Sequence, residues 1–331
     1  LRAKDQLARA ELRVRPKAEA IATTWWDSDN RRYWWYGLGA NVHVRDDLTV
    51  FARVGGVEWS IESFQRQGKM QKALSNTIAN GTVSADDLLS IAKARHTQYL
   101  SGQDLTVGAR WFFHPEYWVE LQGQLTDTNE GPGTWANGQA TIHGPIAPKG
   151  LKVDGTWDLQ VAHERIDTVE AISAQIMANR ASLFTHNRIL DFWDLFVNLH
   201  GISRTDGNNT ASIDGRLLRR LTEFPMFSLG YAFQFANSDR NPPEYWAPQS
   251  LATHLAYGSF GYSPTRWFNL NGSLGYGTSS DRNNSWREVW RANVGMDITM
   301  KDRLKLSLKY SYFSTPDYNL NEAWAGITYT F

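Results

Sequence analysis

The sequence predicts an all-β fold, a closed antiparallel β-barrel of the transmembrane type, from three observations. Apolar and polar residues alternate with a period of two along many short segments, which is typical of strands with two different faces. The chain contains 15 Trp, 13 Tyr and 15 Phe, and such residues concentrate where barrels meet the membrane interfaces. The last strand ends on the aromatic Phe331. We therefore expect a protein of the bacterial outer membrane.

The composition excludes several classes of protein and partner. The 331 residues suit one large barrel domain. Lys plus Arg and Asp plus Glu both total 34, so the net charge gives no reason to expect nucleic acid as a partner. The absence of Cys removes disulfides and thiolate chemistry. The mean hydropathy of −0.46 is compatible with lipid, because every second residue of a barrel strand faces water.

The barrel is expected to begin at Lys17. Before it, Leu1, Leu7 and Leu12 stand among charged residues, and the segment stops at Pro16, which predicts an amphipathic helix. We interpret residues 1–16 as the end of a periplasmic helical region whose upstream part is missing here. Residues 17–331 are interpreted as the barrel, with a helix-like insertion at about residues 62–97 that caps it or folds inward as a plug.

The strands with the clearest alternation lie in the second half of the chain. In a soluble sandwich their apolar face would pack on a second sheet, whereas in a membrane barrel it faces lipid. The apolar residues that alternate with small or polar ones include Phe227, Leu229, Tyr231, Leu270, Leu274, Tyr276, Trp290, Val294, Ile298, Leu304, Leu306 and Leu308.

Connections alternate between tight turns and longer loops, as expected for the periplasmic and extracellular ends of a barrel. Tight turns are predicted at Arg45-Asp46-Asp47, His114-Pro115, Ala147-Pro148-Lys149, Glu223-Phe224-Pro225, Ser263-Pro264-Thr265 and Lys301-Asp302-Arg303. Outer loops are predicted at residues 129–136, 206–208, 238–248 and 280–284, and near Asp317.

The number of strands requires one inference beyond the pattern. Fifteen strands are obvious, whereas bacterial single-chain barrels have an even number. The segment 169–185, where Ala, Ser and Asn blur a strand with a helix, is predicted to contain the missing descending strand. This gives sixteen strands, with Lys17 at the periplasmic end. Fourteen strands are the alternative if that segment is helical and another assignment is wrong.

The chain ends inside a strand with outward-alternating apolar residues. Ile327, Tyr329 and the terminal Phe331 resemble the assembly signal of outer-membrane barrels. We therefore expect outer-membrane lipid and the barrel assembly machinery as partners.

The alternation also predicts which side chains line the lumen. One interpretation is a wall of mutually paired charges, and the other is a polar track that accepts hydrogen bonds from sugar hydroxyls. The inward aromatic residues would stack on pyranose rings or else make packing contacts. The predicted lumen residues are Glu120, Asp158, Asp194, Asp214, Asp297, Arg53, Arg110, Arg216, Arg287, Arg291, Phe112, Trp118 and Trp324.

Other aromatic residues flank the predicted outer turns. An interfacial girdle is the interpretation we favour for most of them. They are Trp25, Trp26, Trp34, Trp35, Tyr36, Tyr245, Trp246, Trp286 and Trp290.

No motif for catalysis or metal binding is found. The eight His residues are dispersed, and neither His-Glu-x-x-His nor Gly-x-Ser-x-Gly occurs, so we expect no metal, no cofactor and no enzyme activity. An outer-membrane enzyme of phospholipase type would need a Ser–His pair facing the lumen or the lipid, which only contacts between strands can reveal.

Short motifs resemble those of a known family. Asp206-Gly207-Asn208 lies at a strand-strand loop, Tyr245-Trp246-Ala247-Pro248-Gln249 precedes a strand, and Tyr329-Thr330-Phe331 closes the chain. These resemble the C-terminal outer-membrane β-barrels of bacterial exopolysaccharide export porins that follow periplasmic tetratricopeptide repeats, of the type that exports cellulose or poly-N-acetylglucosamine. The resemblance implies a sixteen-stranded conduit for a largely neutral polysaccharide, guided by the repeats from an inner-membrane synthase.

Other functions share parts of this pattern. A general diffusion porin would normally begin with a strand rather than a helical lead-in. A barrel that assists surface lipoproteins also follows tetratricopeptide repeats. A soluble carbohydrate-binding sandwich would purify without detergent.

Overall fold

The chain closes into a single antiparallel barrel of sixteen strands, in which each strand pairs with the next and β16 pairs with β1. The computed structural model describes residues 15–61, 99–129, 133–146, 153–189, 192–301 and 303–331. The strands are β1 Lys17–Asp27, β2 Arg31–Arg45, β3 Leu48–Ile61, β4 Tyr99–His114, β5 Tyr117–Thr128, β6 Thr134–Ile146, β7 Val153–Arg165, β8 Met177–Ile189, β9 Trp193–Arg204, β10 Asn209–Glu223, β11 Met226–Ser238, β12 Leu251–Thr265, β13 Phe268–Ser280, β14 Arg287–Met300, β15 Leu304–Ser314 and β16 Asn319–Thr330.

The period-two pattern separates the two faces as predicted. On β11, Leu229 is 58% exposed while Ala232 is 1% exposed. Large apolar side chains remain exposed around the outer surface, among them Val54, Leu121, Leu217, Leu274 and Ile327. A monomeric soluble protein does not leave such a continuous apolar surface in water. The outward face is therefore a lipid-facing surface.

Segment 169–185, whose composition suits both a helix and a strand, contains one of each. A short helix, α1 Val169–Ser173, occupies its first part, and β8 begins at Met177. Thr168 caps the helix, since its side chain accepts a hydrogen bond from the Ala171 backbone N–H. The sixteen-strand prediction is confirmed, and the fourteen-strand alternative is wrong.

The first and last strands bring the two ends of the barrel sequence together at one end of the barrel. We call this end the base, and the opposite end the top. Lys17 pairs with Thr330, and the Phe331 N–H donates to the Pro16 carbonyl at 3.1 Å. The connections at the base are short, with only Asp46 and Asp47 between β2 and β3, and Phe224 and Pro225 between β10 and β11. The longer connections lie at the top.

Two predicted connections are displaced. Ser263-Pro264-Thr265 lies at the end of β12 and not in a turn. The pairing with β13 shifts register between Tyr262 and Thr265, so Pro264, which has no N–H to donate, is not needed for a hydrogen bond between the strands. The loop predicted at 129–136 is shorter, since β6 begins at Thr134. The turn at 147–149, the helix at 1–14 and the insertion at 62–97 lie outside the described residues.

Candidate translocation path

The predicted lumen residues all lie on the inward face of their strands. Each alternates with side chains that are exposed on the outer surface: Arg53 precedes Val54, Glu120 precedes Leu121, and Arg291 follows Trp290. The same parity holds for Asp158, Asp194, Asp214, Asp297, Arg110, Arg216, Arg287, Phe112, Trp118 and Trp324.

Most of the lumen charges are paired with one another. Arg110 of β4 lies 2.6 Å from Glu120 of the neighbouring strand β5, and Arg53 of β3 lies 2.7 Å from Glu19 of β1, across Gly39 of β2. The remaining predicted carboxylates also have basic partners: Asp158 with His143 at 2.7 Å, Asp194 with Arg220 at 3.2 Å, Asp214 with Arg291 at 3.9 Å, and Asp297 with Lys305 at 3.3 Å. The geometry supports the paired wall.

Aromatic rings line the lower part of the lumen in company with cationic side chains. Trp118 stacks on His143, with ring centroids 5.0 Å apart and an interplanar angle of 9°, and the Arg110 guanidinium lies 4.5 Å from its ring. Lys309 lies 5.3 Å from Trp324. Phe112 pairs in register with Trp118. These rings are half-buried, so part of each remains accessible from the lumen.

A second arrangement of this kind was missed by the sequence analysis. Phe196 stacks on His186 at 4.2 Å and 7°, and Arg216 covers it at 4.8 Å. The inward parity of β9 could have found Phe196. Its partnership with His186 and Arg216 depends on register, since the three residues lie directly opposite one another on β8, β9 and β10.

The connection between β7 and β8 folds into the barrel at the top. Val169 and Ile172 of α1 are buried, and they pack with the inward-facing Trp35, Val57 and Trp59 in one apolar cluster. The segment 166–176 therefore lies against the inner wall instead of extending into solvent. The sequence had led us to expect a plug only from residues 62–97.

The connection between β11 and β12, residues 239–250, folds inward beside it. Tyr245 and Ala247 are buried against Ala171 and Ile176, and the Thr168 hydroxyl donates to the Glu244 carbonyl at 2.7 Å. We call segments 166–176 and 239–250 together the top plug.

Residues 206–208 and 245–249 hold the top plug in place. The Tyr245 hydroxyl donates to Asp206 Oδ2 at 2.6 Å and accepts from Asn208 Nδ2 at 3.0 Å. Gly207 has a φ of +84°, which glycine adopts without strain, and this turn places Asp206 and Asn208 beside each other. Burial and the bond to Asp206 raise the pKa of Tyr245 to about 12. Pro248 and Gln249 close segment 239–250 at the wall. The Pro248 carbonyl accepts a hydrogen bond from the Ser238 N–H, and Gln249 Nε2 donates one to the Asp239 carbonyl.

Arg31, at the start of β2, joins the wall to both parts of the plug. Its side chain is 6% exposed and forms ion pairs with Asp27 at 3.4 Å and Glu170 at 3.4 Å. Its Nη2 donates to the Pro243 carbonyl at 2.6 Å. A charge this deeply buried requires partners, and here they come from the wall and from both inward segments.

The girdle prediction is right for some aromatic residues and wrong for others. Trp26, Trp34, Tyr36, Trp286 and Trp290 are exposed on the outer surface. Trp25, Trp35, Tyr245 and Trp246 instead lie inside the barrel. Trp35 packs with Val169 and Ile172 of α1, Trp25 stacks on Tyr33, and Trp246 stacks on Tyr318 at 5.0 Å and 10°.

One Ser–His pair faces the lumen. Ser182 Oγ lies 3.0 Å from His200 Nδ1, and the Asn198 amide donates to His200 Nε2 at 2.6 Å. Ser182 is buried, and Asp214 lies 3.9 Å from His200, beyond hydrogen-bond distance.

Among the described residues, no three His, Asp or Glu side chains are grouped as metal ligands. The same part of the chain has no helix with the length and apolar character needed to cross a membrane.

Comparison with known proteins identifies the fold. No family model matches the chain, and no curated protein matches it. A solved structure described as a bacterial polysaccharide outer membrane secretin superposes with a TM-score of 0.68 at 11% identity, covering 96% of this chain and 99% of the other. The translocator domain of the autotransporter NalP from Neisseria meningitidis gives 0.39 at 10% identity, covering 100% and 96%. OccK11 (OpdR) of Pseudomonas aeruginosa gives 0.45 at 8% identity, covering 95% of each chain.

The chain is a sixteen-stranded β-barrel of the bacterial outer membrane whose fold resembles that of the polysaccharide secretin at low identity. Its short connections at the base and longer connections at the top match the periplasmic turns and extracellular loops of such barrels.

Proposed function

We propose that this barrel conducts a nascent exopolysaccharide, of the cellulose or poly-N-acetylglucosamine type, from the periplasm to the cell surface. The observation that carries the proposal is the lumen wall, where charges of both signs neutralise one another beside accessible aromatic rings. The likeness to a polysaccharide secretin over nearly the whole of both chains supports it.

The wall suits a long neutral polymer for a physical reason. Paired charges leave little net field to hold an ion, but their remaining lone pairs and N–H groups can exchange hydrogen bonds with hydroxyl groups. Half-exposed rings such as Trp118 offer apolar surface to a pyranose ring. Many weak contacts of this kind let a polymer slide, with synthesis on the inner side driving it outward.

The proposal includes partners beyond the barrel. A periplasmic repeat region ahead of residue 17 would pass the polymer from an inner-membrane synthase to the base. The final residues Ile327, Tyr329 and Phe331 would direct insertion by the barrel assembly machinery, as their outward exposure permits. The barrel itself would need no cofactor, and neither nucleic acid nor a catalytic step belongs to the proposal.

Transport without hydrolysis is supported by the geometry of Ser182. A serine nucleophile must reach its substrate, whereas Ser182 is only 7% exposed, and Asp214 lies too far from His200 to orient it by a hydrogen bond. A fluorophosphonate probe is expected to leave Ser182 unlabelled. Labelling that disappears in Ser182→Ala would show that the lumen has esterase chemistry.

The test of the function is planar-bilayer conductance of the detergent-refolded chain, in the intact form and with residues 62–97 deleted. Cello-oligosaccharides and N-acetylglucosamine oligomers are added on the periplasmic side, and maltodextrins of equal length are the control. Block by one β-linked series and not by maltodextrins is the expected result. Equal block by every sugar would favour a general diffusion porin, and no conductance in either form or in the Arg31→Gln variant, which weakens the top plug, would favour the lipoprotein-handling alternative.

A further inference from the structure

Asp214 of β10 differs from the other predicted lumen carboxylates, because it has no hydrogen bond among the described residues. Two basic groups face it, Arg291 Nη1 and His200 Nε2, and each lies 3.9 Å from one of its oxygens, which is beyond hydrogen-bond distance. Each of the other predicted carboxylates has a hydrogen-bond partner at 3.2 Å or less; these are Glu120, Asp158, Asp194 and Asp297. The lone pairs of Asp214 are therefore left for a donor that enters the lumen.

Both sides of the gap between Asp214 and Arg291 are open to the lumen. The Asp214 side chain is 28% exposed and the Arg291 side chain is 20% exposed. Some polar atoms without a hydrogen-bond partner are closed off from solvent, such as Arg204 Nε and Arg220 Nε, but the Asp214 oxygens and Arg291 Nη1 do not belong to that group. A small polar group can therefore reach both Asp214 and Arg291 from the lumen.

Neighbouring contacts fix the width of this gap. Arg291 stands on β14, and its side chain reaches over β13 and β12, where its Nη2 donates to Gln234 Oε1 of β11 at 2.6 Å. Its guanidinium also lies 4.8 Å from the Phe313 ring. Gln234 stands directly opposite Asp214 in the pairing of β10 with β11. The bond to Gln234 thus holds the guanidinium beside Asp214 without bringing the two charges into contact.

The gap selects one kind of chemical group. Oδ1 of the ionised Asp214 can only accept a hydrogen bond, and Nη1 of Arg291 can only donate one. A group that bridges them over 3.9 Å must therefore donate and accept through the same atom, as a hydroxyl group does. A protonated amine has no lone pair for Arg291, and a carboxylate has no hydrogen for Asp214.

We infer that Asp214 and Arg291 form a docking point for a sugar hydroxyl group inside the lumen, in which the hydroxyl donates to Asp214 Oδ1 and accepts from Arg291 Nη1. The inference rests on the proposed export function and adds to it a defined station on the path. It assigns recognition to the hydroxyl groups of the polymer.

The test is binding of cellotetraose and N-acetylated chitotetraose to the full chain in detergent, measured by calorimetry. Asp214→Ala and Arg291→Gln should each weaken binding of at least one tetramer about tenfold or more, because a hydrogen bond to a charged group is lost. Since one hydroxyl joins both side chains, the loss in the double variant should be smaller than the product of the two single losses.

The matched control is Glu322→Gln, which removes the same single charge from the inner wall. Glu322 lies two residues before Trp324 on β16, so it faces the lumen, and its Oε2 already accepts from the Ser311 hydroxyl at 2.8 Å. Its loss should change the affinity less than about twofold. Heat-modifiable electrophoretic mobility shows that each variant is folded. If Asp214→Ala does not fold, Asp214→Asn, which keeps the shape of the side chain, takes its place with a smaller expected loss.

The outcomes separate the docking point from the export function. If the tetramers block conductance of the wild type while the Asp214 and Arg291 variants bind them as the control does, the docking point is overturned and the conduit stands. Single losses that multiply in the double variant show that the two side chains share no hydroxyl, and this also overturns the docking point. If no tetramer binds or blocks the wild type, both proposals fail.

Discussion

At the scale of single residues, position in the fold decides what a charge does. Arg31 and Arg45 stand at the two ends of β2 and are indistinguishable as sequence signals. Arg31 is buried among Asp27, Glu170 and the Pro243 carbonyl, while Arg45 is 63% exposed beside Asp47. Periodicity could predict that Arg31 faces the lumen. It could not predict Glu170 as its partner, 139 residues away.

Replacing Arg31 is expected to release the top plug. Arg31→Gln leaves the buried Asp27 and Glu170 carboxylates without their cation, and breaking such a pair costs about 3–5 kcal/mol. Single-channel conductance should therefore rise, with a more open pore. Arg45→Gln removes a solvent-exposed pair worth about 0–1 kcal/mol and should leave conductance unchanged; equal conductance of all three proteins would contradict a plug held by Arg31.

The Tyr245 network predicts a pH dependence. Because the pKa of Tyr245 is raised from 10.0 to about 12, its neutral form stabilises the folded plug fully below pH 10. That contribution is lost as the pH rises from 10 through about 12. Wild-type conductance should increase over this range. Tyr245→Phe removes both hydrogen bonds to Asp206 and Asn208, so it should raise conductance at pH 7 and lack this titration step; an identical pH profile in the variant would refute the assignment.

At the scale of elements, the strands were predictable and the inward loops were not. The alternation of β11 and β14 appears directly in the sequence, since the two faces meet lipid and water. Segment 166–176 offered no such period. Its helix forms because Trp35, Val57 and Trp59, from distant strands, provide the apolar surface that Val169 and Ile172 cover. Residues 239–250 fold inward for the same tertiary reason.

The last strand gives a prediction that separates assembly from stability. The Phe331 side chain is 57% exposed and meets Tyr329 edge-on at 5.1 Å, so it contributes little to packing. Phe331→Ala should refold in detergent with nearly unchanged thermal stability, yet yield several-fold less folded barrel in bacterial outer membranes. The folded fraction is measured by heat-modifiable electrophoretic mobility, both in detergent and in bacterial outer membranes. Equal yields of wild type and variant in cells would contradict the role of Phe331 as an assembly signal.

At the scale of the whole molecule, the paired wall predicts a pore with weak ion selectivity. Each predicted lumen carboxylate has an Arg, Lys or His partner, while Arg216 and Arg287 of the same wall have no ion pair among the described residues, so the reversal potential in a KCl gradient should show at most a weak preference for anions. Arg110→Gln frees Glu120 and should shift the pore toward cations. The outward-facing Arg219→Gln should not, and strong anion or cation preference in the wild type would contradict the paired wall.

The alternation of the sequence predicted the barrel, its sixteen strands and the facing of the lumen residues. The plug and the Phe196 arrangement arise where residues far apart in sequence meet, as Arg204 meets Tyr245. A single sequence has no period that records such contacts, whereas a strand records its two environments in every second residue.

Passage of a β-linked neutral polysaccharide can be measured directly as release of labelled oligosaccharides from liposomes that contain the Arg31→Gln barrel, with the plug weakened. We expect cello-oligosaccharides or N-acetylglucosamine oligomers to be released faster than maltodextrins of equal length. Equal release of all of them, or retention of all while small ions pass, would contradict a conduit for polysaccharide.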